Sequence, residues 1–171
     1  MADLVKAHQK THIKVVGTAH SFNDIADTDG IHVNLAKFND IRVDKATNSV
    51  TFGAGVTYSM LLEVLQREGM SIPNLPSLPH LNIVGSVVTG THGGGVENGA
   101  MATYVHKINY VDSKGSLSTK KIIVDKDFKM RLHAFGTLGI IYEMTMAIFP
   151  EYGVKKCIYS NVPWDFLKDK K

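Results

Sequence analysis

Gly85, Gly90, Gly93, Gly94, Gly95 and Gly99 fall together in the stretch from Pro76 to Ala100, with His80 and His92 set among them. Glycine at this density costs backbone entropy, so the chain there needs either positive φ angles or a backbone lying against a close neighbour. Bare N–H groups in a glycine-rich turn, flanked by the hydroxyls of Ser86, Thr89 and Thr91, form a concavity suited to a phosphate or pyrophosphate. A flexible linker is the alternative. It fits poorly, because Ile83, Val84, Val87 and Val88 in the same run require burial.

Neither common nucleotide fingerprint is present. The chain has no GxxxxGK[ST] and no GxGxxG between a strand and a helix, so a P-loop and a Rossmann site are both unsupported. A second chemical candidate is His20, in the loop GTAHSFNDIADTDG that runs from Gly17 to Gly30. A long loop inside a domain is usually functional or disordered, and Phe22 and Ile25, which need a surface to pack on, speak against disorder. His20 is then either a structural histidine or a nucleophile. His8 and His12 have the spacing for one metal ion but no third ligand nearby, and a surface helix is the simpler reading. His80 and His92 also lack a cysteine or carboxylate to complete a coordination set, so no metal is expected.

The composition is that of an ordinary globular domain: 171 residues, 44% apolar, 20% charged, net charge +3. Its basic residues are dispersed except for Lys168, Lys170 and Lys171, which leaves nucleic-acid binding without a footprint. Cys157 is the sole cysteine, which excludes an internal disulfide and suits a reducing compartment. No apolar run approaches the roughly 18 residues that span a bilayer, and Met1–Lys14 is too polar for a signal peptide. The expected location is cytoplasmic.

The elements that must position these residues are short. Ala2–Thr11 reads as the end of an amphipathic helix and Ile13–Val16 as a buried strand that stops at Gly17. Ile31–Leu35, Ile41–Val43 and Ser49–Phe52 read as strands joined by tight turns. Thr57 is a good N-cap for a helix in which Met60, Leu61, Val64 and Leu65 recur at helical spacing, and Gly69 ends it. Gly53 and Gly55 allow a second close backbone approach or a plain strand-to-helix turn. Tyr104–Val111 and Leu117–Val124 form a hairpin around Asp112–Gly115. A short helix over Asp127–Ala134, a strand over Ile140–Phe149 stopped by Pro150, and a further strand over Lys155–Tyr159 complete the expected set.

With these elements in place, GTAHSFNDIAD, GAGVTY, SLPHLNIVGSVVTGTHGGGVENG and GTLGIIYEMTMAIFP together resemble the FAD-binding (PCMH-type) domain of the vanillyl-alcohol-oxidase superfamily. Within it they are most similar to alditol (xylitol) oxidases, and more distantly to L-gulonolactone oxidases. The resemblance covers nearly all of Ile13–Tyr152. It implies an α+β fold of two α/β lobes, about residues 13–69 and 71–150, enclosing an extended FAD within a domain over 1–150. Residues 151–171 would begin a substrate, or cap, domain that is otherwise missing.

The resemblance also implies roles. Val15, Val16, Gly17, Thr18, Ala19, His20 and Ser21 match the loop that holds the flavin pyrophosphate, and His20 matches the histidine bonded covalently to the flavin 8α-methyl group. Ser77 matches a catalytic position near the reactive face of the isoalloxazine. Asn82, Gly85, Thr89, Gly90, Thr91 and His92 match the second flavin-binding segment, and Ile140 a backbone contact. Gly85, Gly90 and Gly93 are expected to touch the cofactor. Pro76 stands where the family places a gate residue, and proline there hints at O2 as acceptor. The implied activity is oxidation of a polyol or sugar-derived alcohol, or a sugar lactone, with hydride passing to flavin N5 and electrons to O2 as H2O2. The alternative is a flavin-binding module without independent turnover.

Overall fold

The computed structural model describes residues 1–121, 128 and 132–168. Helix α1 (Ala2–Ala7) leads into strand β1 (Ile13–Val16), which pairs in parallel with β2 (Ile31–Asn34). The loop between them crosses from one strand end to the other and contains one 3-10 turn, Asp24–Ala26, capped by the Asn23 side chain. Phe22, expected to pack, is instead fully exposed, and only Ile25 is half-buried. The loop is held at its ends and by polar contacts, so it does not need a buried phenyl ring to order it.

Strands β3 (Ile41–Asp44) and β4 (Ser49–Gly53) form a hairpin. Its turn is fixed by Asp44, whose carboxylate accepts from the backbone N–H of Ala46 and Thr47 and from the Thr47 hydroxyl. Those bonds hold the Asp44 carboxyl below the usual carboxylate range. After α2 (Tyr58–Arg67) and the two-residue β5 (Met70–Ser71) comes a short helix, α3 (Ile83–Val88). A 3-10 turn over Met101–Tyr104 then leads into β6 (Val105–Val111), β7 (Leu117–Lys121), β8 (Ile140–Ala147) and β9 (Phe149–Pro150), with helix α4 (Trp164–Lys168) near the end.

The main sheet has the order β3-β4-β8-β6-β7 and is antiparallel throughout, as hairpin-linked strands favour. The architecture is α+β, the class anticipated from the sequence. The strands that precede Gly69 divide between two of the three sheets: β1 and β2 make the parallel pair, while β3 and β4 enter the large sheet through β8; β5 and β9 make the third. One face of that sheet is covered by α2 and α3. Phe52, Ile108, Met144 and Met146 are fully buried, as are Leu61 and Leu65 of α2 and Ile83 and Val87 of α3.

Three expectations meet the structure differently. The glycine-rich run is partly helical, because Ile83, Val84 and Val87 fall on one face of α3 and are buried there. Lys155–Tyr159 forms no strand and its side chains are exposed; a strand needs a ladder partner, and none pairs with it among the described residues. Most of the helix expected over Asp127–Ala134, and the end of the strand expected to reach Val124, lie outside the described residues.

Helices α2 and α3 are joined by one buried hydrogen bond, Tyr58 Oη to Ser86 Oγ at 2.6 Å, while Ser86 Oγ also donates to the Ile83 carbonyl. Burial pushes the Tyr58 hydroxyl up to about 12, an effect that the Ser86 bond partly offsets. Unfolded tyrosine ionises near 10, so this stabilisation is complete below about pH 10 and is lost as pH rises towards 12, amounting to about 2–3 kcal/mol. Denaturation midpoints measured against pH in wild type and Tyr58→Phe should diverge in that window. The variant is expected to lack this alkaline loss while being about 1 kcal/mol less stable at neutral pH. Parallel curves would contradict the assignment.

Candidate functional site

Asn82 is the polar centre of the region. Its side-chain Oδ1 accepts from the Gly85 N–H at 2.8 Å and caps α3. Its Nδ2 donates to the Ala54 carbonyl at 2.6 Å and to the Val56 carbonyl at 3.3 Å. Its backbone N–H donates to Thr18 Oγ1 at 3.2 Å. One residue, 8% exposed, thus joins the Gly17–Ser21 loop, the turn between β4 and α2, and α3. The Val56 carbonyl also accepts from the Ile83 N–H, and the Leu81 carbonyl from the Tyr58 N–H, which ties residues 79–83 to the start of α2.

These three segments wall a cleft of about 1260 Å³, larger than the roughly 300–1,000 Å³ of a pocket for a drug-sized molecule and so scaled to a dinucleotide. Lys14 and Asp112 are its only charged liners among the described residues, so an anion there must be met by backbone and neutral dipoles. The Gly17–Ser21 loop provides them. No backbone N–H of Thr18, Ala19, His20 or Ser21 donates a hydrogen bond among the described residues, although all four residues line the cleft. Ala19 has φ 53°, a left-handed conformation uncommon outside glycine. Successive unpaired N–H groups around a left-handed residue form the kind of concavity that binds a pyrophosphate. That is the fit of this chain to a dinucleotide cofactor.

Of the residues singled out from the sequence, the cleft gathers Val15, Val16, Gly17, Thr18, Ala19, His20, Ser21, Asn82, Gly85, Thr89, Thr91 and Ile140. Ser77, Gly90 and His92 are not among its liners. Ser77 is exposed on the segment before His80, and His92 makes a local bond from Nδ1 to the Gly93 carbonyl. Gly90 and Gly93 have other reasons to be glycine. Gly90 takes φ 77° directly after α3, and a Cβ at Gly93 would stand 2.5 Å from Asn74 Oδ1. Two of the three hydroxyls expected to face a phosphate are engaged elsewhere: Ser86 bonds Tyr58 and Ile83, and Thr89 bonds back to the Gly85 carbonyl.

The sequence reading did not place at the site the liners Asn34–Ala36, Ala54, Thr57, Phe135–Thr137 and Gly139. Gly55 was the available signal for the first two groups. A Cβ there would overlap the Leu35 carbonyl, and the Gly55 N–H donates to the Phe38 carbonyl at 2.8 Å, so the close approach is to this chain's own backbone. Also missed was the partner of His20. Its Nε2 lies 2.6 Å from His80 Nε2, with the rings tilted by 47°. Among the described residues, no group of three or more histidine, cysteine or acidic side chains is placed to hold a metal ion, and no helix is long and apolar enough to cross a membrane.

A family described as an FAD binding domain matches residues 1–120 of this chain. The chain is 35% identical over 147 residues to an alditol oxidase of Streptomyces sp. (strain IKD472 / FERM P-14339), covering 84% of this chain and 35% of that protein. It is 31% identical over 147 residues to an L-gulonolactone oxidase of Mus musculus, covering 84% and 33%. To a D-arabinono-1,4-lactone oxidase of Kluyveromyces lactis it is 29% identical over 167 residues, covering 91% and 31%. The chain therefore spans about a third of the length of these relatives.

Replacing Asn82 by alanine should remove the α3 cap and the side-chain bonds to Ala54 and Val56 together, at a cost of about 2–3 kcal/mol. For a chain of this size that is a melting temperature lower by about 4–12 °C. Asn82→Asp keeps the cap but sets a carboxylate oxygen against the two carbonyls, and should lose at least as much. Calorimetry showing Asn82→Ala within about 1 °C of wild type would contradict this role.

Proposed function

The chain belongs to the family of FAD-binding domains, and from that premise we propose that it is the cofactor-holding part of an oxidase acting on polyols or sugar lactones. The observation that carries the reading is the run of unpaired N–H groups at Thr18–Ser21 inside a nearly uncharged cleft. The substrate class follows the names of the relatives, which are oxidases of alditols and of sugar lactones. When bound, the flavin supplies a two-electron acceptor that takes hydride from the carbinol carbon at N5 and returns the electrons to O2 as H2O2.

The chain's own residues bind and orient. Thr18–Ser21 receive the pyrophosphate through backbone N–H groups, which need no counter-charge and cannot swing away as a lysine can. Asn82 holds that loop against α3 through Thr18. Gly85 and Gly17 carry no side chain where the cleft narrows around Asn82, and a Cβ at Gly17 would stand 3.0 Å from Asn82 Cβ. Ile140, Val84 and Leu81 present the apolar wall on which a flat ring system packs. His20 is the residue that tethers the cofactor, an exposed imidazole at the end of the pyrophosphate loop with one ring nitrogen engaged and the other unbonded among the described residues. Ser77, exposed three residues before His80, is the hydroxyl offered to substrate. Residues 1–150 form the cofactor domain, and 151–166 follow it as a largely exposed segment whose start is held by Tyr152 Oη, which donates to the Ile72 and Pro73 carbonyls. A second reading is a flavin-holding module without turnover of its own.

One preparation tests these statements. The chain, reconstituted with FAD and precipitated with trichloroacetic acid, is expected to keep its yellow colour in the pellet. A tryptic peptide containing His20 should carry the added mass of FAD, and His20→Ala should abolish both while leaving flavin absorbance in the native protein. Full release of FAD from a saturated native sample would reject the tether. Peroxide formation with xylitol or sorbitol supports the oxidase reading, and its absence in a fully flavinylated chain favours the module.

A further inference from the structure

We propose that His80 is the proton acceptor that makes His20 a nucleophile, an inference that rests on the tethering role of His20. Two imidazole Nε2 atoms 2.6 Å apart can hold only one proton between them. Two N–H groups would collide and two lone pairs would repel, so one ring is the donor and the other the acceptor. When His20 donates from Nε2, its lone pair sits on Nδ1, the nitrogen that bonds nothing among the described residues. The contact admits either ring as donor; in the proposed arrangement His20 donates and its free nitrogen is the nucleophilic one.

The contact is imposed by the fold. Both rings are exposed, and an exposed hydrogen bond between neutral groups contributes little against water. Each histidine is two residues from an anchor: Thr18 precedes His20 and Asn82 follows His80, and the Asn82 N–H donates to Thr18 Oγ1 at 3.2 Å. The His80 segment is fixed further by the Pro79 carbonyl, which accepts from the Ser59 N–H at 2.7 Å, and by the Leu81 carbonyl, which accepts from Tyr58 at 3.1 Å. Loops 60 residues apart in the chain are therefore held in register at this point.

The chemistry balances with O2 as the oxidant. A bond forms between His20 Nδ1 and the 8α carbon, and one C–H bond of that methyl group breaks. As Nδ1 becomes alkylated, the His20 ring would carry a positive charge, which is relieved by passing the Nε2 proton across to His80. The electron pair of the broken C–H bond goes first to the flavin and then to O2. The methyl proton and the proton relayed by His80 complete one H2O2. Without His80 the proton of this exposed ring has only solvent to go to, and bond formation slows.

The test follows the rate at which FAD becomes acid-stable in the reconstituted chain, with occupancy read separately from absorbance before denaturation. His80→Ala is expected to bind FAD to the same occupancy and to melt as wild type does, but to attach it about 100-fold more slowly, within the range lost with a general base. Added imidazole should restore much of that rate, which it could not do for a ring that only supports the loop. Equal attachment rates in wild type and His80→Ala would overturn the inference while leaving the tether intact, as would slow attachment that imidazole does not rescue. Wild type that releases all its FAD on denaturation would overturn both.

Discussion

The side chain and backbone N–H of Asn82 make four hydrogen bonds, to Thr18, Ala54, Val56 and Gly85, and these decide where the walls of the cleft stand. Apolar packing seats α3 through Ile83 and Val87 and the turn through Val56, but it does not reach the Gly17–Ser21 loop. The Gly17–Ser21 loop is exposed, α3 is too short to be stable alone, and the Gly53–Thr57 turn is a connection. A buried amide with no partners would cost far more than it contributed, so the arrangement is close to all-or-none. Apolar burial supplies the stability beneath it, from Phe52, Met144, Leu61 and Ile83 in one core. The amide determines the geometry on top.

That division of labour suits a cofactor site. The antiparallel sheet and α2 form a rigid base, and the cofactor-facing parts are backbone and small residues placed on it. A cleft with two charged liners cannot attract an anion by long-range charge, so binding depends on N–H groups already positioned to receive it. The left-handed turn at Ala19 is part of that positioning. Strain stored in an exposed loop is tolerated because the bond from Asn82 to Thr18 and the β1–β2 ladder fix its ends.

The local elements were largely legible in the sequence. The alternation of half-buried and exposed residues along β2 and β3 follows from alternating side chains, and α2 announced itself through the Thr57 cap and the spacing of Leu61 and Leu65. Helix α3 was not legible, because six residues with a central glycine show too little periodicity to stand out from a turn. Phe22 and Lys155–Tyr159 were misjudged for a common reason: an apolar or β-branched side chain shows a preference for burial or pairing, but not whether a partner surface exists. The resemblance to a known domain brought together most of the site. It did not reveal that a Cβ at Gly53 or Gly55 would overlap this chain's own backbone. Nor did it reveal that His20 meets His80, since that depends on a contact between loops far apart in the chain.

The central claim is that the unpaired amides of Thr18–Ser21 are the cofactor's binding surface, and hydrogen exchange read by mass spectrometry addresses it directly. In the free chain these amides should exchange at rates near those of an unstructured peptide, while those of β4 and β8 remain protected. On adding FAD, protection should appear first and most strongly at Thr18–Ser21, and next at Gly85. A chain whose absorbance shows full flavin occupancy, yet whose Thr18–Ser21 amides exchange as fast as before, would contradict the account.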